Sequence, residues 1–125
     1  MESSQSELHV CASNNNEELL DLLLSQPGVD VNIRCRSGWT PLMNACNEEN
    51  VKMTRRLCEV PQLDPNITDK SGTKSALFYA LYRNNIECVK ILRTVSKTNW
   101  NMKNSDGEYP IIIALKKQVI KETNT

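Results

Sequence analysis

The feature that most constrains the fold is a short pattern that recurs four times along the chain. An apolar residue stands third in SELHVCA, TPLMNAC, SALFYAL and YPIIIAL, and these apolar residues are 34, 35 and 34 positions apart. They are Leu8, Leu42, Leu77 and Ile111. A second landmark keeps the same period, because DVN, DPN and NWN end at Asn32, Asn66 and Asn101. A fixed period of this length predicts a repeat architecture, in which each unit buries its apolar face against its neighbours.

The first helix of each unit has a recognisable start. In GWTPLMNAC, residues 38–46, the hydroxyl of Thr40 can accept a backbone N–H, and Pro41 occupies the first helical position, where its missing N–H costs nothing. Ser6 and Ser75 are predicted to cap the equivalent helices, whereas Tyr109 precedes the last one and supplies no such cap. Glycines in the polar stretches before these starts predict loop tips with positive φ. They are Gly38, Gly72 and Gly107.

Each first helix is predicted to be short and to be followed by a second, antiparallel one. The second helices are indicated by apolar residues at helical spacing in segments 17–24, 51–58 and 86–93. Between the two helices the chain must turn in a left-handed conformation, which asparagine tolerates and glutamate tolerates less well. The predicted ends of the short helices are Asn15, Glu49, Asn84 and Gln118. Small residues that let the second helix approach are Cys11, Ala45, Ala80 and Ala114.

These motifs resemble those of the ankyrin repeat family. The family pattern of a turn glycine, Thr-Pro-Leu-His-x-Ala, a second helix and Asp-Val-Asn is similar to SELHVCA with GVDVN, and to GWTPLMNAC. The resemblance covers residues 6 to about 118 and implies an all-α solenoid of stacked antiparallel helix pairs with β-hairpin or loop fingers. The chain departs from the pattern by one extra residue beside Pro27, one near Lys74, and Glu49 in place of glycine. It also lacks a second helix in the fourth unit.

The phasing places residues 1–125 in a single ankyrin-repeat domain. The expected units are repeat 1 at about 5–37, repeat 2 at about 38–71, repeat 3 at about 72–106 and a C-terminal half repeat at about 107–125. The half repeat leaves the outer helix of the third unit without its usual neighbour. We therefore expect exposed apolar surface near Val89 and Leu92, and either self-association or the binding of a partner at this open C-terminal end.

The cysteines and the histidine predict structural roles rather than a metal site. Five cysteines without a CxxC pair, together with one histidine, fit neither a zinc site nor a disulfide framework. Cys46, Cys58 and Cys88 lie in apolar runs and are expected in the core, while Cys35 lies on a loop. The resemblance implies that His9 braces the start of the first helix, through Ser6.

Neither an enzyme nor a membrane protein is expected. The sequence contains no grouping of nucleophile and base and no glycine-rich phosphate loop, so no catalytic residue and no cofactor is predicted. No apolar run is long enough to cross a bilayer, and the polar, acidic N-terminal sequence is unlike a secretory signal. We expect an intracellular protein, cytoplasmic or nuclear.

The resemblance implies a module that binds another protein through its concave surface of fingers and inner helices. Two functions fit this reading: a recruitment module, as a fragment or short isoform of a larger scaffold, or a free-standing inhibitor that occludes an enzyme such as a kinase. Trp39 has a second interpretation, in which it folds onto its own hairpin. By family phasing, the candidate partner-binding residues are Arg34, Arg36, Trp39, Asn47, Glu48, Lys70, Thr73, Tyr82, Arg83, Lys103 and Glu108.

The neutral net charge hides a change of sign along the chain. Residues 1–33 hold six acidic and no basic side chains, whereas residues 34–125 hold nine acidic and fifteen basic ones. This asymmetry favours a partner with an acidic surface, docked toward the later units. Nucleic acid is the rival partner, but a pI of about 6.6 and the lack of a known nucleic-acid motif disfavour it.

Overall fold

The structure, a computed structural model, describes residues 6–123, and the side chains up to residue 118. Seven helices and no strand lie within that range, as expected for an all-α repeat fold. The helices are α1 (Glu7–Asn14), α2 (Glu17–Leu24), α3 (Pro41–Asn47), α4 (Val51–Cys58), α5 (Ala76–Tyr82), α6 (Ile86–Thr94) and α7 (Pro110–Thr123).

The helices form two rows. The inner row consists of α1, α3, α5 and α7, each packed on the next, and α2, α4 and α6 form the outer row. The apolar landmark residues Leu8, Leu42 and Leu77 are at most 4% exposed and belong to one continuous core between the rows. The small residues Cys11 and Ala45 are buried as well, which allows the close helix approach that the sequence predicts. Stacking, rather than any single unit, therefore creates the core.

Two of the three predicted caps form. The Ser6 hydroxyl accepts the backbone N–H of His9, and the His9 ring bonds Ser6 in return, so His9 braces α1 as expected. The Thr40 hydroxyl accepts the N–H of Met43 at 3.3 Å. Ser75 precedes α5 with the extended backbone of a capping residue, but its side chain makes no cap bond, so that prediction was wrong. The backbone conformation at the helix start is kept without the hydroxyl bond.

Three short inner helices end in the predicted left-handed turn. The φ angles of Asn15, Glu49 and Asn84 are 57°, 59° and 56°. Gln118 was predicted to end the fourth inner helix, and this is wrong, because α7 continues to Thr123. Glutamine and the neighbouring lysines are good helix formers, and each further residue adds a helical hydrogen bond. At Gln118 the chain therefore continues the helix instead of forming the left-handed turn.

Asparagine side chains tie each unit to the next at two levels. Near the helix ends, Asn50 donates to the carbonyl of Ser13 in the preceding unit at 2.9 Å, and Asn85 donates to that of Cys46. Among the loops, the landmark Asn32 donates to Gln62 O and accepts from Asp64 N, at 2.9 and 2.8 Å. The landmark Asn66 repeats this contact one unit further along, with Lys97 and Asn99. The period of the landmark therefore reflects contacts between units.

The fingers are tight turns rather than β-hairpins. Two backbone bonds close the first finger, from Cys35 N to Trp39 O and from Gly38 N to Cys35 O, both at 2.9 Å. In the second finger the bond that corresponds to the first of these spans one residue more, from Asp69 N to Lys74 O. That difference is the extra residue that the sequence shows near Lys74. No strand lies within residues 6–123, so the fingers take the loop form of the predicted β-hairpin or loop fingers.

The exposed apolar surface at the C-terminal end differs from the prediction. Leu92 is 0% exposed and Val89 is half-buried, because α6 turns both toward the stack. Within the described range, the exposed aliphatic side chains of this end lie instead on α7, at Ile111, Ile112 and Leu115, and at the start of α6, at Ile86. Among the described side chains, apolar exposure at this end therefore lies on other residues than those predicted.

The cysteines are free thiols in three environments. Cys46 and Cys88 are fully buried near the Thr54 hydroxyl, and the buried Cys11 belongs to the same core. Cys58, predicted to lie in the core, is only half-buried, because it lines a groove between α4 and α6. Burial nevertheless raises the pKa of its thiol to about 12. The loop residue Cys35 is partly exposed.

Two further features complete the fold. Between residues 6 and 123, no helix is both long and apolar enough to span a bilayer. Across the described side chains, no three His, Cys, Asp or Glu residues are grouped so as to hold a metal ion.

Candidate protein-binding face

We call the surface formed by the fingers and the inner helices the binding face. Its tips carry cations at the repeat spacing: Arg36 on the first finger and Lys70 on the second are both exposed. On the third finger, exposed Lys103 lies over the ring of Tyr109, with its Nζ 5.3 Å from the ring centre. The three fingers therefore present a row of positive charge.

Arg34 joins two fingers. Its Nε donates to Gly38 O at 3.2 Å within its own finger, and its terminal nitrogen donates to Thr68 O at 3.0 Å in the next. The backbone of Lys70 donates to Ser37 O at 3.0 Å across the same junction. Arg34 is exposed but already used in structure, so Arg36 is the better candidate for a partner contact on this finger.

Trp39 packs on the following unit rather than on its own hairpin. Its ring lies 4.4 Å from that of Tyr79, centre to centre, at an angle of 47°. The Tyr79 hydroxyl donates to the buried carboxylate of Asp69 at 2.7 Å. The two half-buried rings form an aromatic platform between the fingers and α5. Aromatic rings of this kind supply much of the energy in protein interfaces.

The Asp69 carboxylate accepts hydrogen bonds from the hydroxyls of Ser71 and Tyr79, and it thereby holds the Tyr79 ring of the platform in place. Burial opposes ionisation of Asp69, but hydrogen bonds from Ser71 and Tyr79 outweigh it and hold the pKa of Asp69 below its usual value. Burial, followed by the bond to Asp69, raises the pKa of the Tyr79 hydroxyl. Near neutral pH the carboxylate is therefore ionised and the phenol protonated. Thr73, a predicted site residue, belongs to this network, because its backbone bonds Asp69 and its hydroxyl lies 2.7 Å from Ser71 Oγ.

His9 contacts the platform through the backbone of Trp39. Its Nε2 lies 2.7 Å from the carbonyl oxygen of Trp39, which can only accept, so Nε2 carries the proton and Nδ1 accepts from Ser6. Burial lowers the pKa of His9, against the opposing effect of the bond to Trp39. The neutral His9 ring thus holds the backbone of Trp39, whose side chain is one of the two rings of the platform.

Four of the predicted residues line one groove at the ends of α3 and α5. Asn47 and Glu48 lie on one wall, Tyr82 and Arg83 on the other, and the groove has a volume of about 410 Å³. Glu49 and Asn85 complete its lining. The groove is polar and holds charges of both signs, so it suits polar side chains of a partner.

The last finger is braced by its own side chains. Asn104 donates to Glu108 Oε1 at 3.2 Å and to the Tyr82 hydroxyl at 2.7 Å. Lys116 of α7 pairs with the same carboxylate of Glu108, which holds the pKa of Glu108 below its usual value. Glu108 is therefore engaged within the fold, whereas Lys103 remains on the exposed row.

Sequence reasoning missed Tyr79 and Asp69. The structure brings them together with Trp39, although Tyr79 lies forty residues later in the chain. The available signal was the register of the repeat, because Tyr79 follows the landmark Leu77 by two positions on a helix that borders the fingers. An aromatic residue at such a position was a candidate for the same surface.

Comparison with known proteins gives the family. A model described as "Ankyrin repeats (3 copies)" matches residues 8–97, most of the chain. The chain belongs to the ankyrin repeat family. Ankyrin repeats generally mediate protein–protein interactions, and the similar proteins include one named as an ankyrin repeat protein and one named as a localization factor.

Several similar proteins are much longer than this chain. SMC5-SMC6 complex localization factor protein 1 of Bos taurus is 33% identical over 117 residues, which cover 92% of this chain and 11% of that protein. The Homo sapiens protein of the same name matches equally well. Ankyrin repeat protein nuc-2 of Neurospora crassa is 38% identical over 89 residues, 70% of this chain and 8% of its own length. The chain thus spans about a tenth of these relatives.

Proposed function

We propose that this chain binds a partner protein through the binding face, without catalysis, and that the partner presents an acidic surface. The observation that carries the proposal is the row of exposed cations, Arg36, Lys70 and Lys103, beside the platform of Trp39 and Tyr79. Cations steer an acidic partner and select its orientation, while aromatic rings provide contact area at low entropic cost. The expected setting is inside the cell, in the cytoplasm or nucleus.

The charge distribution supports this orientation. The acidic α2 is partly neutralised within the fold, because Glu17 pairs with Lys52 at 3.6 Å and Asp21 pairs with Arg56, both on α4. The finger cations Arg36 and Lys70 instead lie outside every ion pair found among the described side chains. Positive charge that the fold itself does not use is therefore concentrated on the binding face.

The test is capture of proteins from cell extract on the immobilised chain and on two charge-matched variants. The finger variant carries Arg36→Glu and Lys70→Glu, and the outer variant carries Arg55→Glu and Arg93→Glu on α4 and α6. Proteins bound by the binding face should be lost with the finger variant and kept with the outer variant. Circular dichroism checks that both variants are folded. Equal capture by wild type and finger variant, or loss only with the outer variant, contradicts the proposal.

A further inference from the structure

A groove lies in the outer row, between α2 and α4 and the loops that follow them. Its volume is about 590 Å³, which falls within the roughly 300–1,000 Å³ of ligand pockets. Its floor is the buried Val31, and the apolar side chains around that floor are half-buried or exposed. They are Leu24, Val29, Val60 and Pro61. We call this surface the α2–α4 groove.

Contacts between the first and second units hold the walls of the groove in place. Asn32 of the first unit donates to Gln62 O at 2.9 Å and accepts from Asp64 N at 2.8 Å. Between the two helices, Asp21 forms an ion pair with Arg56. The α2–α4 groove therefore lies within the stack, and its shape exists before any partner binds.

The charged groups that line the groove favour a cation over an anion. Arg56 is the one cation among the described lining residues, and three carboxylates surround it: Asp21, Glu59 at 3.9 Å and Glu17 at 4.0 Å. Asp21 and Glu59 line the groove themselves, and their side chains are 45% and 65% exposed. A partner anion would meet a guanidinium that already has its carboxylates, whereas a partner cation would meet two accessible carboxylates.

The other charges near the groove do not reverse this preference. Asp30 is exposed on the loop that forms the first-unit wall. Residues 1–33 contain no lysine or arginine, so this wall brings no cation. Lys97 of the third unit donates to Pro61 O at 3.3 Å, but it does not line the groove. The rim of the α2–α4 groove is therefore acidic.

The corresponding groove between α4 and α6 has a different charge pattern. The register of the repeat places Arg55 there at the position of Asp21, and Thr94 at the position of Glu59. Arg55 takes part in none of the ion pairs found among the described side chains. The lining of this second groove holds as many cations as carboxylates. The groove itself thus belongs to the repeat, whereas the acidic rim belongs to the first pair of outer helices.

We propose that the α2–α4 groove binds a short segment of a partner protein in which aliphatic side chains stand next to lysine or arginine. The aliphatic side chains cover Leu24, Val29 and Val60, and a neighbouring cation contacts Asp21 and Glu59. Exposed apolar surface with a polar rim is typical of contact sites, and the charge of the rim selects the segment. No inner helix lines the groove, among the residues that the structure describes, so its occupation leaves the binding face free.

An NMR titration of the isotopically labelled chain with three blocked hexapeptides tests the proposal. The first peptide is Gly-Lys-Leu-Val-Lys-Gly. The second has glutamate in place of both lysines, and the third keeps the lysines and has serine in place of leucine and valine. The first peptide should shift the amide signals of Val29, Val31 and Val60, and it should bind severalfold more tightly than either of the others. Added salt should weaken its binding.

Three variants assign the binding to this groove. Asp21→Asn removes a charge from the rim and Val29→Ser removes an apolar contact, and each should weaken binding of the first peptide severalfold. Glu87→Gln is the matched control, because Glu87 is also exposed and ion-paired, with Lys90 at 3.3 Å, but lines only the α4–α6 groove. This control should bind the peptide like the wild type. Unchanged amide signals away from each substitution verify that the variants are folded.

The finger variant with Arg36→Glu and Lys70→Glu leaves the α2–α4 groove intact and should bind the first peptide like the wild type. Failure of this proposal is thereby distinguished from failure of the binding face. Equal binding of the lysine and glutamate peptides overturns the proposal, as do shifts confined to the fingers and inner helices, or no shift up to the solubility limit of the peptide. Groove signals that move with the concentration of the chain alone would assign the groove to a second copy, and they overturn it as well.

Discussion

Replacing Gly38 by alanine should destabilise the protein more than the same replacement at Gly72. Both glycines precede an inner helix and have nearly the same backbone, with φ of 82° and 76°. Their surroundings differ. A Cβ on Gly38 would lie 2.9 Å from the Asp69 carbonyl carbon and closer still to the backbone nitrogen of Lys70, whereas a Cβ on Gly72 meets nothing within 4 Å.

The magnitude follows from two separate costs. Positive φ costs an alanine about 1–2 kcal/mol at either site, and the less flexible unfolded chain offsets about 0.4–1 kcal/mol of it. Gly72→Ala should therefore lower the free energy of unfolding by about 1 kcal/mol. At Gly38 the crowded neighbour is backbone and cannot rotate away, which adds about 1–3 kcal/mol of overpacking. The Lys70 to Ser37 bond between the fingers is at risk as well.

Equilibrium unfolding in urea of both variants measures this difference directly. Gly107→Ala is a second control, because Gly107 has a φ of 75° and an equally open surrounding. The expected order of unfolding free energies is wild type, then the Gly72 and Gly107 variants together, then the Gly38 variant. An equal loss at all three glycines would refute the reasoning, since backbone conformation alone would then account for the effect.

Three further predictions concern single side chains. Glu49→Gly should stabilise the protein by about 0.5–1 kcal/mol in urea unfolding, because Glu49 has a φ of 59° and glycine relieves that strain; a loss of stability would show that its side chain is needed. His9 is neutral when folded and its pKa is lowered by burial, so stability should fall as the pH drops below about 6.5, where the unfolded histidine takes up a proton more readily. His9→Gln should flatten that dependence in thermal melts at a series of pH values, and an unchanged profile would assign it to other groups. Hydrogen bonds, chiefly from the Ser37 hydroxyl, outweigh partial burial and lower the pKa of Cys35, so a thiol reagent at neutral pH should modify Cys35 first, and equal rates at all five thiols would contradict this.

The repeat and its helix pairs could be predicted from the sequence because their signals are local. Thr40 and Pro41 mark a helix start through their own backbone chemistry, and Asn15 and Asn84 mark the turns through their tolerance of positive φ. The same local reasoning failed at Ser75, whose cap bond does not form, and at Gln118, where helix extension competes with the turn. Both outcomes depend on small differences between two local arrangements, and the pattern of residue types does not resolve such differences.

The candidate site was predicted only in outline. Register alone placed Arg36 and Lys70 at equivalent positions of the first two fingers, which share one face in a stacked repeat, and Lys103 two positions before the equivalent Ser105 of the third. Register could not show that the Arg34 guanidinium donates to the carbonyl oxygens of Gly38 and Thr68, because the bond to Thr68 depends on the distance between the two fingers. The assignment of all these residues to a partner contact stays a prediction.

By itself, the sequence determined the period, the fold and the order of units, since each follows from residues that act within one unit or at a fixed spacing. The tertiary structure decided what each equivalent residue does. Leu77 is buried and Ile111 is exposed, although both hold the landmark position, because among the described residues only Leu77 has a further unit packed beyond it. The surroundings of Gly38 and Gly72 differ for a similar reason. The backbone of the next finger, at Asp69 and Lys70, lies close to Gly38, whereas no atom lies within 4 Å of a Cβ on Gly72. A local pattern records the shape of one unit, and burial and contact depend on the neighbour that the pattern does not describe.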